Sequence, residues 1–129
     1  MIKEYVTWLA GRTTPPLTIG ANIFAGPWPE TAADLCTAVL EGPAPQNAYL
    51  PKERQVRLQF LTRGPTYQSA RTEAWRIFDA AANATGFPLG NGWRLHGTPQ
   101  LNGPQWIGFD PRGRFEFSAN LTLQVRRPT

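Results

Sequence analysis

The chain has 129 residues, a formal net charge of +4, 41% hydrophobic residues and one cysteine, Cys36. That length suits one domain, residues 1–129, with a core that needs no staples. The apolar content excludes intrinsic disorder, and the lone cysteine excludes both a disulfide framework and a cysteine-based zinc site. No basic leader precedes an apolar segment and no apolar run reaches membrane-spanning length, so the expectation is a protein neither secreted nor spanning a membrane. The load of 13 prolines and 12 glycines implies many turns rather than a helical bundle. All the basic residues except Lys3 and Lys52 are arginines, the side chain suited to planar contacts at interfaces. No block of like charges forms a nucleic-acid-binding tail.

Ile2, Tyr5, Val6 and Leu9 recur at helical spacing, which predicts a short helix over 2–10 ended by Gly11. Pro15 and Pro16 make residues 13–18 a stiff connector. Residues 19–26, IGANIFAG, read as a short strand stopped by the GPWPE cluster at 26–30. Residues 31–41 stay open: Pro29 and Glu30 can begin a helix, while LCTAVL has the look of a strand buried on both faces. Residues 42–53 form a Pro-rich loop of a length usually tied to function. Residues 54–63 alternate, with Val56, Leu58 and Phe60 facing one way and Arg57, Gln59 and Leu61 the other, which predicts a strand.

A strong helix follows Gly64, with Tyr67, Ala70, Ala74, Ile77, Phe78 and Ala81 as its apolar stripe, Pro65 in its first turn and Gly86 as its stop. Glu73 and Arg76 are spaced to pair on its surface. GFPLGNG at 86–92 reads as a loop, and 93–100 as a strand or strand end. Asp110-Pro111-Arg112-Gly113 has the residues of a type I turn, joining 106–109 to a long strand in a hairpin. From Phe115 to Val125 every second residue is apolar. The residues between, Glu116, Ser118, Asn120, Thr122 and Gln124, form a polar row with almost no charge.

Chemistry is sparse. His96 is the only histidine and is read as structural. Cys36 sits in an apolar run, as inert thiols do, and no motif orients it against His96. The acids are scattered, and neither a phosphate-binding glycine loop nor a dinucleotide fingerprint is present. No enzyme activity, cofactor or metal is expected. Trp8, Trp75, Trp93 and Trp106 read as core margin or interface, and Trp28, set between two prolines, as an exposed protein–protein anchor.

The order of these pieces is similar to that of a known family. A short N-terminal helix precedes NIFAGPWPE, then come RQVRLQFLTRGPTYQSARTEAWRIFDAAAN and GTPQLNGPQWIGFDPRGRFEFSANLTLQV. This resembles the tail terminator (minor capsid, or neck) proteins of long-tailed bacteriophages, over most of the chain. The resemblance implies a homohexameric ring at the head–tail junction of the virion, assembled in the host cytoplasm. The ring caps the tail tube, stops its growth and docks to the head connector, and genomic DNA passes through its lumen without specific binding. It also implies that ADLCTAVL is a strand. The fold class expected is α+β, a mainly antiparallel sheet with two helices on one face. The candidate assembly residues are Trp28, Tyr49, Lys52, Arg54, Arg71, Arg76, Arg112 and Arg114, with loops 42–53 and 97–105 ordering on assembly. Competing expectations are a head-closure or tail-tube component of the same neck, a small basic nucleic-acid-binding domain using the polar sheet face, and, more remotely, a hydrolase built on His96.

Overall fold

Ile2–Ala10 forms helix α1 and buries Tyr5, Val6, Leu9 and Ala10, the face its spacing marks as apolar. The structure, a computed structural model, describes residues 2–42, 53–82, 88–90, 92–95 and 100–126. After α1 the chain crosses a connector with a cis Thr14–Pro15 bond. The next strand is shorter than its sequence suggests. Only Ile23–Ala25 forms β1, because the preceding residues are bent into a turn. There the amides of Ala21 and Asn22 both donate to the Thr18 carbonyl, the Asn22 side chain accepts from the Thr18 amide, and Gly20 has a φ of 85°.

The open question at 31–41 resolves in part as a strand: Cys36–Gly42 is β2, with Cys36, Thr37, Ala38 and Val39 buried, while residues 31–35, including the 33–35 start of the strand the resemblance implies, are turn, bend and irregular chain. It runs parallel to β1 and antiparallel to β3, Glu53–Gly64. Burial on both faces explains why this run lacks alternation. The long helix α2, Tyr67–Ala82, follows. Its cap is built by Thr66: the Thr66 hydroxyl accepts from the Ser69 amide at 3.1 Å and the Ser69 hydroxyl accepts from the Thr66 amide at 3.2 Å. Pro65 therefore lies before the cap, not in the first turn. Gly86 lies outside the described residues.

Two expectations near the C-terminal half are corrected. Pro88–Gly90, inside the stretch read as a loop, is strand β4 and pairs with β5, Trp93–Leu95. The hairpin's first strand, β6, spans Gln100–Phe109, so residues 100–105 of the expected assembly loop are strand instead. Its pairing with β7, Phe115–Arg126, is irregular between Asn102 and Gln105 and between Trp106 and Gly108. Bulges and Pro104 obscure its alternation. Gly103 lies against the Trp75 ring, where an added Cβ would meet Cη2 at 3.3 Å.

The sheet order is β1-β2-β3-β7-β5-β4, with β6 also pairing with β7. Every ladder but β1–β2 is antiparallel. Both helices cover one face, where Tyr5, Leu9, Ile77, Leu58, Leu121 and Val125 form the main core. Burying side chains such as Leu58 or Ile77 contributes about 1.5–3 kcal/mol each. The fold is thus α+β as expected. The other sheet face carries no helix among the described residues.

Candidate functional site

The first notable cluster lies on that second face, at the hairpin end. Residues 26–35 join β1 to β2 as a strap that reaches Arg63 of β3. Arg63 holds the strap. Its side chain is 3% exposed, and its Nη2 donates to the carbonyls of Ala32 and Ala33 at 3.1 and 3.2 Å. Its guanidinium also lies 4.6 Å from the centre of the Trp28 ring. Trp28 is therefore half-buried rather than the freely exposed anchor its prolines suggest. Beneath the strap Cys36 is buried, and burial pushes its thiol pKa up against the opposing pull of Arg63. A reactive thiol needs the reverse. On the core side Thr37 and Thr62 close the β2–β3 ladder with a buried hydroxyl pair at 2.9 Å.

The strap and the hairpin enclose a shallow cleft of about 380 Å³ lined by Trp28, Glu30, Arg63, Pro111, Arg112 and Arg114. Its arginines are balanced by acids. Arg114 binds Asp110 at 2.5 Å and Asp34 at 3.2 Å, and Arg63 stands opposite Glu116 in the β3–β7 ladder. A charge-balanced cleft of this kind holds two surface segments together. No group of His, Cys, Asp and Glu fit to hold a metal occurs among the described residues. His96 lies outside them.

The turn itself forms as its sequence indicates. The Gly113 amide donates to the Asp110 carbonyl at 2.9 Å, and Gly113 takes a φ of 76°, which favours glycine. The Asp110 carboxylate accepts from the amides of Arg112 and Arg114 at 2.9 and 2.8 Å. Burial acts against its charge, but these amides and the Arg114 guanidinium outweigh it, so its pKa lies below the ordinary value. A depressed carboxylate contributes stability above its unfolded pKa, about 3.9, and loses it as pH falls through the folded one. The amide resonances of Arg112 and Arg114 are therefore expected to shift with a common midpoint below pH ~3.9 in an NMR titration, and Asp110→Asn to abolish that step. A midpoint above the ordinary carboxylate value would contradict this account.

The second notable surface is apolar. Tyr67, Trp106, Ile107 and Phe109 are 44%, 45%, 53% and 58% exposed. Three of them join in a chain of ring contacts: Tyr67 to Trp106 at 6.2 Å, Trp106 to Phe109 at 5.5 Å, and Phe109 to the half-buried Phe115 at 4.7 Å. Tyr67 thus leaves the core stripe of α2 that its spacing assigns it to. It starts the helix above the hairpin and packs on Phe117 at 5.2 Å. The patch lies along β6, which pairs only with β7 among the described residues.

The expected contact residues are dispersed. Trp28, Arg112 and Arg114 meet around the cleft. Arg54 is exposed near Trp93, at 5.7 Å from its ring centre. Arg71 is exposed on α2, and Arg76 pairs with Glu73, as its spacing indicates, and donates to the Pro15 carbonyl at 2.6 Å. Tyr49 and Lys52, with the loop at 43–52, lie outside the described residues, as do residues 96–99. Arg63 and the β6 aromatics were not among the candidates. The one signal for Arg63 is that it sits on the polar parity of β3 directly across from Glu116.

Comparison with known proteins adds two findings. Residues 11–127 match a family model described as bacteriophage tail terminator protein. No curated protein matches the chain.

Proposed function

The chain belongs to the bacteriophage tail terminator family, structural proteins of the virion tail, and from that premise we propose that it forms a homohexameric ring on the head-proximal end of the tail tube. The ring stops tube growth, offers the head connector a docking surface and lets genomic DNA pass through its lumen. Assembly takes place in the host cytoplasm. The observation that supports a ring is the exposed apolar patch of Trp106, Ile107 and Phe109 on β6 and Tyr67 at the start of α2. Aromatic residues near the centre of a patch carry most interface energy. A ring contact is heterologous, so the patch meets a different surface on the next subunit. Bulges along β6 disfavour extension of the sheet by a further strand, so the contact runs through side chains. Arg112, exposed at the tip of the same hairpin, belongs instead to the cleft with Trp28.

Deletion of the gene tests the reading. Electron microscopy is expected to show overlong tails of irregular length and heads without tails, both restored by the gene in trans. Tails of normal length joined to heads in the deletion would overturn it.

A further inference from the structure

Beyond the strap, the sheet face away from the helices has a composition unlike either surface described above. Between Glu116 and Arg126, β7 presents only Ser118, Asn120, Thr122 and Gln124 to it, and β3 adds Gln55 and Gln59 from the same parity. Gln59 donates to the Ser118 hydroxyl at 2.9 Å, which fixes part of this row. No aromatic residue of β3 or β7 faces this side. Besides the buried Arg63 under the strap, its cations among the described residues come from three strands: Arg57, Arg94 and Arg126, all exposed. Arg94 stands directly opposite Arg126 in the β5–β7 ladder, and Arg57 stands opposite Thr122.

Like charges placed directly opposite each other in a ladder are unfavourable. On its other side Arg126 stands in register with Glu53 of β3. An anion between the two guanidiniums would reverse the sign of the Arg94–Arg126 interaction. Arg57 lies four ladder positions from Arg126, about 14 Å along the strands, so it engages a separate anionic group. An extended polyanion fits this spacing. Protein interfaces concentrate aromatic and apolar side chains at their centre, whereas nucleic-acid interfaces are polar, wet and positively charged.

We propose that this face contacts the phosphodiester backbone of duplex DNA through Arg94, Arg126 and Arg57, weakly and without regard to sequence. This rests on the reading that DNA passes through the ring, and it assigns the DNA-facing surface. The amides and hydroxyls between the arginines give the duplex an uncharged, hydrogen-bonding surface to move across. Three phosphate contacts imply a salt slope of only about −3, the weak regime that passage requires.

The test is fluorescence anisotropy of a short labelled duplex of mixed sequence against the full chain, over a salt series. Arg94→Gln/Arg126→Gln is compared with a charge-matched control on the α1 side, Lys3→Gln/Arg12→Gln. The face variant is expected to bind roughly tenfold more weakly at low salt, with a slope smaller by about 2, while the control stays within about twofold of the parent. Equal losses in both variants would assign binding to overall charge and overturn the proposal. So would no binding by the parent at low salt. A third overturning result is a changed assembly size, by light scattering, with duplex affinity unaltered, which would make this face a protein contact. Failure of the capping reading appears separately, as normal tails in the gene deletion, whatever the duplex comparison gives.

Discussion

Arg63→Ala is expected to lower the unfolding free energy by about 3 kcal/mol in urea denaturation, since it removes a buried guanidinium and leaves the Ala32 and Ala33 carbonyls without its charge-assisted hydrogen bonds. The effect is large for a single side chain because Arg63 joins three elements. It lies on β3, ties the strap through the carbonyls of Ala32 and Ala33, and stacks on Trp28. It also lies opposite Glu116 on β7, whose pKa burial already raises and Arg63 helps to lower. Arg63→Lys retains the charge but cannot reach two carbonyls and a ring with one planar group, so it should recover less than half of the loss. The specific readout is hydrogen exchange at the amides of Trp28, Ala32 and Ala33. In Arg63→Ala these amides should exchange far faster while those of α2 change only by the global loss of stability. A destabilised protein whose strap remains as protected as the parent's would show that Arg63 does not hold it.

What the sequence made legible depends on how local each feature is. The alternation at Val56–Phe60 and Phe115–Val125, the stripe at Ala70–Ala81 and the turn at Asp110–Gly113 each depend on neighbours within one element, and each appears where its pattern places it. β1 fell short of its apolar run because an Asn22 side-chain bond and Gly20 bend the chain first. β4 was hidden because three residues, two of them Pro88 and Gly90, carry no periodicity. The functional surfaces were harder still, since they are made between elements. Arg94 and Arg126 lie far apart in sequence and are brought together only by the β5–β7 register. A polar row with almost no charge on β7 alone becomes an arginine-bearing face once β3 and β5 flank it. Likewise Tyr67 has core spacing on α2, but the position of the hairpin turns it into part of an outward patch.

That patch carries the other large effect. In Trp106→Ser/Phe109→Ser, ring assembly is expected to fail while the subunit still folds. Each aromatic at the centre of an interface contributes about 2 kcal/mol or more, so the pair removes about 4 kcal/mol per contact, close to a thousandfold. Each subunit of a closed ring uses the patch once, so every contact around the ring is weakened together. The fold loses far less, because both side chains are about half exposed or more, at 45% and 58%. Surface changes of this kind alter stability by about 0.5 kcal/mol, and here the lost ring contacts among Trp106, Phe109 and Tyr67 add to that. Ile19→Ser is the matched control: Ile19 is 46% exposed but lies before β1, away from the patch. Light scattering after size exclusion should give rings for the control and subunits for the double variant. In phage complementation, the double variant should reproduce the overlong tails of the deletion and the control should restore normal length. Full assembly and normal tails from a folded Trp106→Ser/Phe109→Ser protein would remove the β6 edge from the interface and leave the cleft around Trp28 and Arg112 as the surface to examine.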